Sequence, residues 1–392
     1  MEREEVRKEI LGIKSKAILC ELPTSFGKSK IGIDLALRDN PMNILIVVPR
    51  LVLIENWKQE FSKWGLRYFL NKVTFSTYVG LNKHTEEHWD CIIFDEVQHL
   101  SARCTDFVST MEIEHAIMLS ATVTKNMKWE LKSLFPDLNI YTVKMKEAID
   151  NEILPDPRVF LVPLSLDTTY QSEKIVKHKS GKVKVTCDYK DRWNYLRNKN
   201  ICLTVRCTQL QKSVEMDNEI TFWKDRYMRT RNEIFKNRWL HLAGERLKWL
   251  SNLKNPIIYN MLSSLRGERV LTFCNSIDQT IELGRNCINS KNKDAVKVLE
   301  SFNKGEINHI TACNMLNEGM NLVNCRVGIY ANLNSSEIII KQRLGRILRH
   351  KNPVIVIPYY KGTREEELVQ KMLEDYNPEL IKVINNITDI KL

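Results

Sequence analysis

Short, nearly continuous apolar runs recur along the first 150 residues, and each ends in polar or turn residues: AILCEL (17–22), ILIVVP (44–49), VTFSTY (73–78), CIIFDE (91–96) and AIMLSAT (116–122). Runs of strand length without an alternating polar face predict a parallel sheet covered by helices on both sides. The polar residues that stand out, PTSFGKS, PRL, TY, DEVQH and SAT, all fall at the carboxyl ends of these runs. That is where a doubly wound sheet binds its ligands. A second alternation runs from about residue 256 to 392, with RVLTFCNS, INHITACN, RVGIYAN and PVIVIPYY as its apolar runs. No sequence repeat relates the two halves, but they predict one architecture used at both ends of the chain.

The middle differs. LPDPRVFLVPLSL predicts a proline-marked linker followed by a strand, and EKIVKHKSGKVKVTC predicts a hairpin turning at Ser180-Gly181. From about 188 to 254 the pattern turns helical and free of proline, with Met228, Phe235, Trp239, Leu242, Leu250 and Leu253 near one face. The expected organisation is α/β: a doubly wound parallel-sheet domain over 1–153, a basic and mainly helical region carrying a β-hairpin over 154–255, and a second doubly wound domain over 256–392.

Composition adds bounds rather than detail. At 43% hydrophobic and 27% charged residues, the chain reads as ordinary globular protein. No apolar run reaches the roughly 18 residues of a membrane helix, and MEREEVRKEI is charged where a secretory signal is apolar. A cytoplasmic monomer with no membrane partner is expected. Ten cysteines without a CxxC pair predict free thiols in a reducing compartment. His84, His88 and Cys91 are spaced loosely like metal ligands, but they lead into an apolar strand and lack a fourth partner.

The location of the charge is more telling than its size. Residues 171–254 hold 20 Lys and Arg against 9 Asp and Glu, a surplus of 11 that equals the +11 of the whole chain. A basic block between two balanced regions predicts a polyanionic partner, of which nucleic acid is the commonest.

Three stretches carry chemistry. In ELPTSFGKSK (21–30), strand, turn and helix follow one another as a phosphate-binding loop requires, although Leu22 stands where the general pattern has glycine. Gly27 lets the backbone approach phosphate, Lys28 would neutralise the β and γ phosphates of ATP, and the Ser29 hydroxyl would coordinate Mg²⁺. A GK[ST] triplet alone recurs by chance, so its place after an apolar strand is what gives it weight. In IIFDEVQH, Asp95 would hold the Mg²⁺ and Glu96 would orient and deprotonate the attacking water. In QRLGRILRH, Arg343, Arg346 and Arg349 recur every third residue on one side of a helix, with Gln342 beside the first. Guanidinium groups so placed stabilise charge on a transferring phosphoryl group, and together these stretches suggest an ATP site built between two domains.

The order of motifs resembles a superfamily 2 helicase of the DExH type. LPTSFGKS resembles motif I, VVPRLVLIENW motif Ia, STY motif Ib, DEVQH motif II, LSAT motif III, VLTFCNS motif IV, CNMLNEGMNL motif V and QRLGRILR motif VI. The resemblance implies two RecA-like domains with ATP and Mg²⁺ in the cleft and a nucleic-acid strand across their tops. It implies that the loop Pro23, Thr24, Ser25, Phe26, Gly27, Lys28, Ser29 and Lys30, with Gly319 and Asn321, holds the nucleotide. Lys28, Asp95, Glu96, Gln342, Arg346 and Arg349 would carry the hydrolysis, and His99, Ser120 and Thr122 would couple it to movement. Pro49, Arg50, Thr77, Tyr78, Asn275 and Glu318 would face the strand.

This chain departs from the family pattern in two places: no adenine-recognising glutamine precedes motif I, and Asn321 replaces the usual motif V aspartate. Within the family it is most similar to phage and bacterial motors for branched or forked DNA, the UvsW- and RecG-like branch and the motor part of type III restriction enzymes. That branch implies an ATP-dependent, 3′ to 5′ helicase on single-stranded, forked or branched DNA, with roles in repair, recombination or replication. RNA, a duplex translocase that does not separate strands, and an ATPase-silent nucleic-acid-binding module are the alternatives. Lys177, Lys179, Lys182 and Lys184 of the expected hairpin are candidates to grip phosphates, and Trp193, Trp223 or Tyr227 could stack on bases.

Overall fold

A computed structural model describes residues 2–176, 183–196, 201–313, 322–333, 337–374 and 376–390, with backbone alone at 174–176, 337–339, 341 and 342. In chain order its strands are β1 (Ala17–Glu21), β2 (Ile44–Val48), β3 (Val73–Thr77), β4 (His88–Asp95), β5 (Glu112–Ser120), β6 (Leu138–Thr142), β7 (Arg158–Leu164), β8 (Gln171–Val176), β9 (Val183–Asp188), β10 (Ile201–Cys207), β11 (Val270–Phe273), β12 (Cys287–Ile288), β13 (His309–Ala312), β14 (Val327–Tyr330), β15 (Val354–Tyr360) and β16 (Ile381–Val383).

The first sheet has the order β3-β2-β4-β5-β1-β6, every pair parallel. Its central strands are buried on both faces, β1 and β2 throughout. This is the physical counterpart of their unbroken apolar runs, since helices cover each side. The second sheet, also all parallel, has the order β12-β13-β11-β14-β15-β7-β16. The two RecA-like α/β units expected at the ends of the chain are both present.

The middle departs from expectation in three ways. The strand expected in LPDPRVFLVPLSL, β7, belongs to the second sheet, where it pairs with β15 from Arg158↔Val354 to Leu164↔Tyr360. Lys177, Lys179 and Lys182 and the turn at Ser180-Gly181 lie outside the described residues, but the flanking strands β8 and β9 do not form a hairpin. β10 lies between them, antiparallel to β8 and parallel to β9. And β10 itself interrupts the stretch read as helical, because Ile201, Leu203, Val205 and Cys207 face inward at every second residue, a strand period.

Two long helices, Gln209–Thr230 and Glu233–Leu253, follow and form an antiparallel arm. A capping box of Thr208 and Gln211 starts the first, and Arg231 in the left-handed region (φ 53°) turns the chain into the second. At 22 residues the first helix is about 33 Å long. Its inner turns are anchored by buried Ser213, Met216 and Ile220, yet no residue from 221 to 249 is buried. The outer arm is held by rings instead: Trp223 against Phe235 at 5.5 Å and Tyr227 stacked on Trp239 at 6.0 Å, with Arg226 over Phe222, Trp223 and Phe235.

Candidate active site

The loop after β1 is tight, with two residues at positive φ and strain at the one that is not glycine. Ser25 (φ 70°) and Gly27 (φ 103°) both lie in the left-handed region, and Gly27 leads into the helix Lys28–Leu37. A non-glycine residue at positive φ costs free energy of order 1 kcal/mol or more, and such strain clusters at ligand sites. The Lys28 ammonium is folded into the loop and donates to the Leu22 carbonyl at 3.2 Å. Leu22 is itself buried and extends the strand by donating its N–H to the Ser120 carbonyl. Its bulk therefore lies on the core side of the loop, leaving the phosphate-facing side to backbone.

Two loop residues contribute no side chain to the cradle. Phe26 is buried in the hydrophobic core, 1% exposed, with Arg3 6.0 Å from its ring. The Lys30 ammonium pairs with Asp34 and lies 5.1 Å over the ring of Trp64. Both expectations for a nucleotide-contacting side chain are corrected: apolar burial claims the first and a helix-internal ion pair the second. Ser29 lies in the first turn of the helix, beside Lys28.

Asp95 ends β4, and Glu96 follows in the left-handed region (φ 51°). Asp95 Oδ2 accepts from the Trp57 indole N–H at 2.9 Å, which fixes its orientation. Burial raises the Asp95 carboxyl to about 6, the negative charge of Glu96 adds to the rise, and Trp57 and Lys28 oppose it. Burial likewise lowers Lys28, while Glu96 and then Asp95 hold it up and Arg346 and Arg349 push it down. Two cations from the far end of the chain thus stand within electrostatic reach of the loop lysine and the acid pair.

The helix Glu337–Ile347 brings them there. Its Gly345 carbonyl accepts from Ser25 Oγ at 2.5 Å, and Arg349 Nε donates to the same hydroxyl at 3.4 Å. Gly345 meets Thr24 so closely that a Cβ there would lie 1.7 Å from Thr24 Oγ1. Arg343, the first of the three periodic arginines, is buried, donates to the Asn332 carbonyl and lies 5.4 Å from the Phe273 ring, so it braces the helix rather than facing the loop. The Gln342 side chain, Glu318, Gly319 and Asn321 lie outside the described residues.

A hydrogen-bonded chain leaves the acid pair within the first unit. Gln98 Nε2 donates to Glu96 Oε2 at 2.8 Å, Ser120 Oγ donates to Gln98 Oε1 at 2.7 Å, and Thr122 N–H donates to Ser120 Oγ at 3.1 Å. The sequence points to His99, Ser120 and Thr122 for this role but not to Gln98, whose only signal is its place two residues after Glu96. His99 is exposed, its ring 6.2 Å from that of Tyr78.

On the rim, Pro49 and Arg50 follow β2 and Thr77 ends β3, capping the next turn by accepting from Gly80 N–H. Tyr78 is corrected: it is 5% exposed, packs in the core, and donates its hydroxyl to the Asp95 carbonyl at 2.9 Å. Asn275 is half-buried after β11, and Lys184 is exposed on β9. Cys91 is buried in the sheet core, so it cannot join His84 and His88; His88 sits instead near Asp90 and Glu114. All ten cysteines are free thiols. Among the described residues no helix is long and apolar enough to cross a membrane.

Comparison with known proteins agrees with this arrangement. Residues 3–125 match the model of the type III restriction enzyme res subunit, and residues 253–351 match the helicase conserved C-terminal domain. The chain is 23% identical over 390 residues to the DNA 3'-5' translocase XPB2 of Sulfurisphaera tokodaii, covering 92% of this chain and 82% of that protein. Its fold is similar to the Hef helicase domain of Pyrococcus furiosus (TM-score 0.51, 13% identity, 94% of this chain and 97% of that one). It is also similar to S. cerevisiae Dbp5 bound to RNA and ADP BeF3 (TM-score 0.60, 9% identity, 97% and 88%). The first matched segment holds β1 to β5 and the second β11 to β14, and Lys28, Asp95 and Glu96 of the one meet Arg346 and Arg349 of the other across the cleft. The chain belongs to helicase superfamily 2 and is an ATP-dependent helicase acting on nucleic acid.

Proposed function

We propose that the protein moves along one strand of DNA in the 3′ to 5′ direction and remodels forked or branched DNA. The observation that carries the energetic half is the convergence of Arg346 and Arg349 from one unit on Lys28 and the Asp95–Glu96 pair of the other. A catalytic set divided between two bodies is complete only when they close, which ties hydrolysis to movement. The residues suit a nucleoside triphosphate with a divalent cation: a backbone loop with Ser25 and Gly27 at positive φ, one ammonium, and two adjacent carboxylates whose mutual repulsion a cation relieves. A divalent cation held there would supply positive charge against that of the phosphates.

Around that group, Lys28 binds phosphate, Ser29 and Asp95 hold the cation, and Glu96 takes the proton of the attacking water. Arg346 and Arg349 stabilise charge on the phosphoryl oxygens, with Gln342 at the same helix. Gln98, Ser120 and Thr122 carry the state of Glu96 along the top of the first sheet.

DNA as the substrate is supported by the DNA translocase relative and by the arm. Residues 222–239 hold six Lys and Arg against two Asp and Glu, interleaved with five aromatic residues, on a projection where every residue is partly or fully exposed. Cations among half-exposed rings suit a phosphate backbone with unpaired bases at a junction. Lys28→Ala tests the site: nucleic-acid-stimulated ATP hydrolysis should fall by about a hundredfold or more, and hydrolysis at the wild-type rate would refute the assignment.

A further inference from the structure

The inner end of the arm runs into a buried polar junction. Ser251 and Lys254, at the foot of the second arm helix, are both 0% exposed, and Gln279 and Asn255 beside them are equally enclosed. Lys254 Nζ donates to Glu365 Oε1 at 2.5 Å and to the Ala331 carbonyl at 3.2 Å. Ser251 Oγ donates to Gln279 Oε1 at 2.8 Å and lies 3.0 Å from the same Ala331 carbonyl. Gln279 Nε2 donates to the Ser251 carbonyl at 2.8 Å and to Asn255 Oδ1 at 2.9 Å.

The junction continues toward the ATP site. Gln279 Oε1 accepts the Asn275 N–H at 2.9 Å, Asn275 Oδ1 accepts from Asn332 Nδ2 at 3.0 Å, and the Asn332 carbonyl accepts from Arg343 at 3.2 Å. Arg343 shares its helix with Arg346, and Arg349 follows in the next turn. An unbroken series of hydrogen bonds therefore joins the foot of the arm to the element that presents both cations to the phosphate loop.

Packing alone does not call for this. A fully buried ion pair contributes little net stability compared with apolar residues of similar volume, because desolvation offsets the attraction. A buried polar network does fix one relative geometry, since a shift leaves more buried groups unpaired than Asn255 Nδ2 and Asn332 Oδ1, which lack a partner among the described residues.

We propose that Ser251, Lys254 and Gln279 are positioning residues that transmit the orientation of the arm to the Arg343–Arg349 segment, so that nucleic acid on the arm sets how Arg346 and Arg349 stand over the P-loop. The identity of the arm's ligand rests on the function proposed above; the mechanical link does not. Two variants cut the link with little change of volume: Ser251→Ala with Gln279→Met, and Lys254→Met with Glu365→Gln. Thermal melting selects for study the variant that folds as the wild type does.

In that variant the ratio of DNA-stimulated to basal kcat falls about tenfold, within the usual range of coupling between sites, while KM for ATP and the Kd for forked DNA stay within about twofold. In the protein without any ligand, amide hydrogen exchange across 343–349 speeds up, whereas exchange in β1 and β4 does not. Unchanged exchange across 343–349 in a well-folded variant overturns the proposal, as does an unchanged stimulation ratio. If no nucleic acid stimulates the wild-type protein, the functional reading of the arm fails, and the exchange measurement alone decides the link.

Discussion

Gly345 and Thr24 touch across the cleft with no room for a methyl group: a Cβ on Gly345 would lie 1.7 Å from Thr24 Oγ1 and 2.2 Å from Thr24 Cβ. The contact joins the phosphate loop of one unit to the arginine helix of the other, and it needs glycine for proximity rather than for a special φ. Gly345→Ala should therefore hold the two units apart at the place where catalysis needs them together. Misplacement by about 1 Å costs on the order of a hundredfold in rate. We expect kcat for ATP to fall by that order with KM little changed, and Thr24→Gly in the same chain to restore part of the loss. Steady-state kinetics of the three proteins checks this; a Gly345→Ala enzyme with full kcat would mean that the contact is not part of the active closure.

Asp95 gives a pH signature in the ligand-free protein. Its carboxyl is raised to about 6 from a usual value of 3.8, first by burial and then by Glu96. Between those values the folded state holds a proton that the unfolded state has released, so this group's contribution falls as pH rises from about 4 to about 6 and stays at its lowest above that. Asp95→Asn should stabilise the ligand-free protein at pH 7.5 by about 1 kcal/mol, discounted from the full shift because the mouth of the site is partly open. The gain should vanish near pH 4. Melting curves of both proteins across this range test it, and a loss of stability at pH 7.5 would contradict it.

The arm yields a salt-dependence prediction. Lys224, Arg229 and Arg231 are exposed on its outer part. If all three meet phosphates, alanine at each position should weaken binding to every DNA sequence alike and reduce the slope of log K against log salt by about 0.9 per residue on duplex. Titrations of forked DNA at several salt concentrations read the slope. An unchanged slope would place the nucleic acid elsewhere.

How far the sequence leads depends on which interactions are local. Central strands such as Ile44–Val48 were legible because burial on both faces leaves an unbroken apolar run. The glycine and lysine of the phosphate loop and the acids after β4 were legible because their chemistry needs those residue types at those strand ends. The pairing of β7 with β15 joins residues nearly 200 positions apart and leaves no local trace. β10 does leave one, the alternation of Ile201, Leu203, Val205 and Cys207, but helical stretches after it hide so short a period. Side-chain direction was the least legible: Phe26 and Tyr78 sit in motif positions yet turn into the core, and Gln98 joins Glu96 to Ser120 with no pattern to announce it.

The most direct test of the central claim is a parallel measurement of ATP hydrolysis and strand separation with single-stranded DNA, duplex DNA, forked DNA, four-way DNA and RNA. It is run on the wild type and on Arg349→Ala. We predict that DNA stimulates hydrolysis, that forked and four-way DNA are remodelled fastest, and that Arg349→Ala lowers kcat by about a thousandfold, the range seen for arginine fingers. Stimulation by RNA in preference to every DNA, or an Arg349→Ala protein that hydrolyses ATP at the wild-type rate, would contradict it.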